Sequence, residues 1–219
     1  MVIRQYGLLN TSVASDNPTF GIPYPGTFIL DADGVVRSRF FEAAYQDRNT
    51  MTSVLVKLGA SLDIPATKVS APHLRLTTYL TDQVAAPGTH FSAVLNVVPD
   101  PHVHVYAPGV SGYKPIAVSI SAQPGLVVRG ATFPAPEDYF FKPLNEHVRV
   151  YGAPFRLLQD FEIDPSPAAA AALNGQPSMT IAARVDYQAC DDTVCFTPQS
   201  VPLTWTIGLR ALDRERPKR

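Results

Sequence analysis

Cysteine is scarce in this 219-residue chain: there are two, Cys190 and Cys195, and none precedes them. Any thiol chemistry must therefore run through that pair, and two thiolates alone leave a metal site short of ligands. Net charge is nearly absent as well, −1 at pH 7. That removes the electrostatic reason to expect nucleic acid or an anionic membrane as partner. No apolar run is long enough to cross a bilayer. The opening residues Met1-Val2-Ile3-Arg4-Gln5-Tyr6 lack the basic segment and apolar core of a signal peptide. Two readings follow: a cytosolic protein, or a chain whose export signal lies upstream.

The hydrophobic fraction of 46% and charged fraction of 17% are those of a globular protein able to bury a core. Proline is abundant, with 21 residues. Because proline is excluded from helix interiors and central strand positions, this density favours many short strands joined by turns.

Four segments are expected. Residues 1–60 hold a short apolar run at 27–30, then Asp31-Ala32-Asp33-Gly34, whose Asp and Gly suit a tight turn. Residues 35–41 complete an antiparallel hairpin, and Met51, Val54, Leu55 and Leu58 recur at helical spacing behind a capping Asn49 or Thr50, with Gly59 as the stop. Residues 61–71, with Pro65 inside and Pro72 just after, show little periodicity and read as a linker. Residues 72–212 are nearly all β. The stretches 74–80, 90–98, 116–120, 155–163, 179–187 and 201–209 alternate as half-buried strands do, which suggests an immunoglobulin-like sandwich. The alanine run at 168–172 is expected to lie in a loop with at most one helical turn. Residues 213–219 form a basic tail that reads as a frayed terminus.

The distinctive segment is Tyr187-Gln188-Ala189-Cys190-Asp191-Asp192-Thr193-Val194-Cys195-Phe196-Thr197-Pro198. Four residues between the cysteines fit a hairpin connection that brings the thiols within disulfide reach. A loop so short removes little entropy from the unfolded chain, so the bridge stabilises weakly by that route. Three readings stay open: a structural staple, a metal site completed by His102 and His104 on one strand face, and a dithiol that cycles through mixed disulfides. Asp191 and Asp192 would raise the Cys190 pKa by like-charge repulsion, or only shape the turn.

The same segment, with Val201-Pro202-Leu203 after it, resembles the active hairpin of the N-terminal periplasmic domain of the thiol:disulfide interchange protein DsbD. The resemblance covers roughly residues 72–212, and the gap between the cysteines is shorter than the family's. It implies an immunoglobulin-like β-sandwich, a catalytic Cys190–Cys195 pair with Cys190 nearer the partner's approach, and no metal or organic cofactor. It further implies an extracytoplasmic, periplasmic location and partners that are thioredoxin-fold or other thiol proteins. The alternative is a non-catalytic β-sandwich interaction domain with a structural bridge. Glu137-Asp138-Tyr139-Phe140-Phe141 falls where the family carries a cap loop over the disulfide, making Asp138, Tyr139 and Phe140 candidates for that role; a hydrophobic cluster at a sandwich edge is the rival reading. His104 and Tyr106 lie where the family places residues beside the cysteines.

Residues 21–36 resemble the second half of a redoxin (AhpC/TSA-type, thioredoxin-like) domain, with Pro25 at the place of that fold's cis-proline. No cysteine stands where a redoxin needs one, so the segment cannot supply a peroxidase site. Half a domain leaves a sheet edge and an apolar face uncovered, so the fragment is expected to pack on the β-sandwich or to pair with another chain as a homo-oligomer.

Overall fold

The computed structural model describes residues 2–18, 20–41, 48–141 and 145–211, and the basic tail at 213–219 lies outside them. The chain divides into two compact units, Met1–Asn49 and Thr50–Arg219.

The first unit holds a four-residue helix α1 (Val2–Gln5), the strands β1 (Gly26–Leu30) and β2 (Val36–Phe41), and a two-residue strand β3 (Arg48–Asn49). β1 and β2 form the expected antiparallel hairpin. Asp31 closes its turn: the carboxylate accepts from the Asp33 and Val35 amides and pairs with Arg37. Those hydrogen bonds, the Val35 amide first, hold its pKa below the usual value. Gly34 completes the turn at φ +77°, a conformation only glycine adopts at no steric cost. The cis-proline expected at Pro25 is not found, because no cis peptide bond occurs among the described residues. Here the Tyr24 amide donates to the Leu8 carbonyl and Leu9 bridges Pro23, so the preceding chain is held extended and the ordinary trans form suffices.

The second unit is mainly β. One sheet runs β10 (Leu126–Thr132), β13 (Phe155–Ile163), β7 (Thr89–Pro99), β5 (Leu74–Leu80), β4 (Thr67–Ala71). Another runs β6 (Val84–Ala85), β16 (Gln199–Leu209), β14 (Ser178–Tyr187), β9 (Ala117–Ile120). Period-2 alternation aims one face of each strand inward. Phe91, Ala93, Leu95 and Val97 of β7 and Leu157, Phe161 and Ile163 of β13 are buried in one cluster with Ile181, Val185 and Tyr187 of β14 and Leu203, Trp205 and Ile207 of β16. This mainly β, multi-sheet arrangement is consistent with the immunoglobulin-like sandwich expected from the alternation.

Two boundaries differ from expectation. The helix α2 (Met51–Lys57) forms where its spacing placed it, with the Thr50 hydroxyl accepting from the Ser53 amide and Gly59 at φ +90°. It belongs, however, to the second unit rather than to the hairpin. Val56 packs against Tyr79 and Val94, the Ser53 hydroxyl meets that of Ser92, and Lys57 pairs with Asp160. The residues read as a linker are likewise held: Leu62 and Ile64 join that cluster, Arg156 donates to the Ala60 carbonyl, and residues 67–71 form the edge strand β4. Val56 of α2, with Leu62 and Ile64, packs against Val94 on the second face of β7, which helps bury that strand on both sides. The alanine run is also more ordered than expected, a seven-residue helix α3 (Pro167–Leu173) started by a Ser166 cap and Pro167.

A third, smaller sheet carries the cysteines. Its strand order is β11 (Glu137–Phe141), β12 (Glu146–Tyr151), β8 (His104–Tyr106), β15 (Ala189–Cys190). β15 follows β14 after a single residue, Gln188, so the strand of the sandwich runs almost directly into the site. One face of this sheet, through Val105, Tyr151 and Ala189, is part of the main core. The other face, through Tyr106, Val148, Val150 and Cys190, makes a separate cluster.

Candidate functional site

Cys190 and Cys195 are joined by a disulfide, directly opposite one another in an antiparallel bridge. Backbone hydrogen bonds flank the pair on both sides: the Asp191 amide donates to the Val194 carbonyl and the Phe196 amide to the Ala189 carbonyl, each at 2.9 Å. The cysteines are thus the non-hydrogen-bonded pair of a tight hairpin, the position where side chains sit closest. Their Cα atoms lie 4.0 Å apart.

Asp191 builds the turn. Its Oδ1 accepts from the Thr193 amide, the Val194 amide and the Thr193 hydroxyl. These bonds, the Thr193 amide first, lower its pKa, so the turn keeps this cap until pH falls below the ordinary carboxylate range.

The two sulfurs differ in access. Cys190 is 0% exposed, whereas Cys195 is partly exposed beside the exposed turn residues Asp192, Thr193 and Val194. The resemblance placed Cys190 nearer the partner's approach; the structure leaves Cys195 the more open sulfur.

Aromatic rings line the pair. The Tyr106 hydroxyl donates to Cys190 Sγ at 3.1 Å and lies 3.4 Å from Cys195 Sγ. Burial, foremost, pushes the Tyr106 pKa well above its usual value, so it stays a neutral phenol. His104 sits opposite Cys190 in the β8–β15 pairing. Burial lowers the His104 pKa, with Asp192 and Asp191 opposing the shift, so the imidazole is neutral at pH 7.

Tyr139 packs against the cluster that holds Cys190. Its ring lies 4.5 Å from that of His104 and its hydroxyl donates to Asp192 at 2.7 Å, spanning from β11 to the hairpin tip. That hydrogen bond, with burial behind it, pushes its pKa up to about 12. The segment expected as a cap loop is the strand β11, and its alternation sorts the candidates. Tyr139 faces the cluster; Asp138 and Phe140 face away, where both meet His147, Asp138 by a hydrogen bond at 2.8 Å and Phe140 by ring contact at 5.0 Å.

Two further corrections concern candidates outside the pair. His102 does not share a strand with His104: it sits in the preceding turn at φ +65°, exposed, while His104 is buried. Among the described residues no group of three or more His, Cys, Asp or Glu side chains is arranged to hold a metal.

The structure also adds residues that spacing did not reveal. Tyr113, from the segment between β8 and β9, stacks on Tyr106 with ring centres 4.1 Å apart and planes 15° from parallel. Its hydroxyl donates to Glu146 at the start of β12. Neither sits on an alternating run that points at the cysteines: Tyr113 comes in by stacking on Tyr106, and Glu146 through the hydroxyl of Tyr113.

Residues 77–204, which include both cysteines, match the family model described as thiol:disulfide interchange protein DsbD, N-terminal. The chain belongs to the DsbD N-terminal domain family. The family match stops short of residues 1–60, where the redoxin resemblance lay. Among solved structures, the reduced N-terminal domain of DsbD from Neisseria meningitidis is similar at 11% identity with a TM-score of 0.36, covering 53% of this chain and 81% of that one. The N-terminal periplasmic domain of ScsB from Proteus mirabilis is similar at 13% identity with a TM-score of 0.42, covering 62% of this chain and 49% of that one. The SrpA adhesin of Streptococcus sanguinis is similar at 17% identity and a TM-score of 0.29, covering 69% of this chain and 61% of that one. Among curated proteins none matches the sequence. The family is one of thiol–disulfide electron transfer, and the matched residues hold the Cys190–Cys195 disulfide.

Proposed function

We propose that this DsbD-family domain is an electron relay between thiol proteins in an extracytoplasmic compartment, working through reversible opening of the Cys190–Cys195 disulfide. The observation that carries the reading is the asymmetry of the pair, Cys195 partly exposed at a hairpin edge and Cys190 fully buried against Tyr106. A thiolate of a reduced dithiol partner attacks Cys195 Sγ. The S–S bond breaks, its electron pair leaves with Cys190 Sγ as a thiolate, and a mixed disulfide joins Cys195 to the partner. The partner's second thiolate then attacks its own sulfur in the mixed bond, releasing Cys195. The partner leaves as a disulfide, and two electrons and two protons have passed to this domain. Run in reverse against an oxidised thioredoxin-fold protein, the same steps hand the electrons on.

Tyr139 stands across the line of attack and must swing away from Asp192 for a partner to dock. No organic cofactor or metal takes part in these steps, because the sulfurs hold the electrons.

Incubating the oxidised chain with a reduced thioredoxin-fold dithiol protein tests this directly. Mass spectrometry should show the disulfide lost and the partner oxidised one for one, and the reduced chain should in turn reduce an oxidised protein of that fold. No transfer in either direction over hours would overturn the reading and leave the bridge a hairpin staple.

A further inference from the structure

The hairpin that carries the disulfide leaves a backbone edge open beside its more accessible sulfur. Cys190 and Cys195 form a non-hydrogen-bonded pair, flanked by the bonds from the Asp191 amide to the Val194 carbonyl and from the Phe196 amide to the Ala189 carbonyl. In such a pair the N–H and C=O of each residue point away from the other. Those of Cys190 face β8, where Cys190 pairs with His104. Those of Cys195 face the opposite way, past the end of the third sheet, and no strand among the described residues pairs there.

We propose that this edge is the docking strip for the thiol protein that exchanges with Cys195: an extended segment of the partner, close to its own cysteine, pairs with the Cys195 backbone as an added strand. This rests on the exchange reading of the pair and deepens it by naming what the partner presents.

Reach, hydrogen bonding and charge select that occupant. Exchange brings the partner's sulfur to bonding distance of Cys195 Sγ, so the partner chain beside its cysteine must pass close to this edge. The other approaches are occupied. The Tyr106 hydroxyl lies 3.1 Å from Cys190 Sγ and 3.4 Å from Cys195 Sγ, and β8 takes the far side of the hairpin. An outward N–H and C=O on one residue are the two groups that a hydrogen-bonded antiparallel pair exchanges with the residue opposite. Every other pairing of this sheet is antiparallel. The strip is also short. The Asp191 turn, which engages the Val194 amide, closes it on one side, and Pro198, which has no N–H, closes it on the other. It therefore suits a few residues of a partner rather than a full edge strand. Asp191 and Asp192 lie at the tip, over which an antiparallel strand lays its C-terminal part, so a basic residue is favoured there. Main-chain pairing supplies affinity without fixing side chains, so one strip can serve thiol proteins of different sequence.

An N-methyl scan of the incoming strand tests this. The full-length Cys190→Ser chain is mixed with short Thr- and Val-rich peptides that carry a central cysteine and a C-terminal lysine, each supplied as its glutathione disulfide. The Cys195 thiolate attacks the peptide sulfur, the bond between Cys195 and the peptide forms, and glutathione leaves as the thiolate. Mass spectrometry follows this product and separates it from attack on the glutathione sulfur. One backbone amide is methylated in each peptide. Methylation of an amide that faces Cys195 should slow the reaction at least about fivefold, the worth of one hydrogen bond, while the amides on either side point away and should leave the rate unchanged. Sensitivity that alternates along the peptide is the expected result. The oxidised wild-type chain, opened by the same peptides in reduced form with Cys190 Sγ as the leaving thiolate, should give the same alternation and decides the matter if Cys190→Ser does not fold. A flat profile, or equal slowing at every position, overturns the docking strip. So does a lack of peptide disulfides in a chain that still exchanges with thioredoxin-fold dithiols, and each of these outcomes leaves the exchange reading standing. Absence of exchange with protein dithiols overturns that reading, and the strip with it.

Discussion

The Cys190→Ser chain is expected to accumulate a mixed disulfide with an oxidised thioredoxin-fold protein, whereas Cys195→Ser is expected to give none above background. The asymmetry comes from access. With Cys190 gone, the Cys195 thiol stands at the hairpin edge and forms the intermolecular bond, with no internal thiol to resolve it. With Cys195 gone, the surviving thiol is 0% exposed beneath Tyr106 and Tyr139. Non-reducing electrophoresis and peptide mass mapping read the outcome. Equal trapping by both variants, or trapping through Cys190 alone, would mean that the hairpin opens far more than the structure shows.

The second large effect concerns the frame that holds the hairpin. Phe161 is fully buried, packs against Phe91 of the same sheet at 5.4 Å and reaches Trp205 of the opposing sheet at 6.2 Å. Phe161→Ala removes the ring that bridges the sheets and should cost about 3–5 kcal/mol, cavity included. Against a total stability on the order of 5–15 kcal/mol that is a large share. Urea unfolding should show a lower midpoint with little change in slope. A cost below about 1 kcal/mol would show that the site had collapsed around the missing ring.

Much of this frame was legible in the sequence. The bounds of β13 and β14 follow from alternation almost residue for residue, and β14 alternates between core and solvent along most of its length. The N-terminal hairpin was legible from Asp31 and Gly34, and the helix at Met51 from its cap and spacing. Periodicity does not say which surface an element covers, however. The apolar face of α2 would serve a hairpin or a sandwich equally well; Val94 and Tyr79 decide it, and both lie far along the chain.

The site shows the same division. Cys190 and Cys195 announced themselves by local spacing, and the turn chemistry of Asp191 was readable beside them. In the segment 137–141 the aromatic and acidic types were visible, but which of them faces the sulfurs depends on register. The pairing of Tyr139 with Val148 puts Tyr139 inward and sends Asp138 and Phe140 outward. Tyr113 and Glu146 were silent because they meet only through the fold, Tyr113 from the segment after β8 and Glu146 from the start of β12. Side chains that act through tertiary contact leave no periodic trace.

The most direct test of the central claim is the reduction potential of the Cys190–Cys195 pair, measured by equilibrating the full chain with glutathione buffers and counting free thiols by mass. Closing so short a loop contributes only about 2 kcal/mol through chain entropy, so little holds the bond closed by that route. Reversible exchange predicts a potential clearly above about −300 mV, within reach of protein dithiols. A value below that threshold would mark the bond as a structural staple and contradict the account.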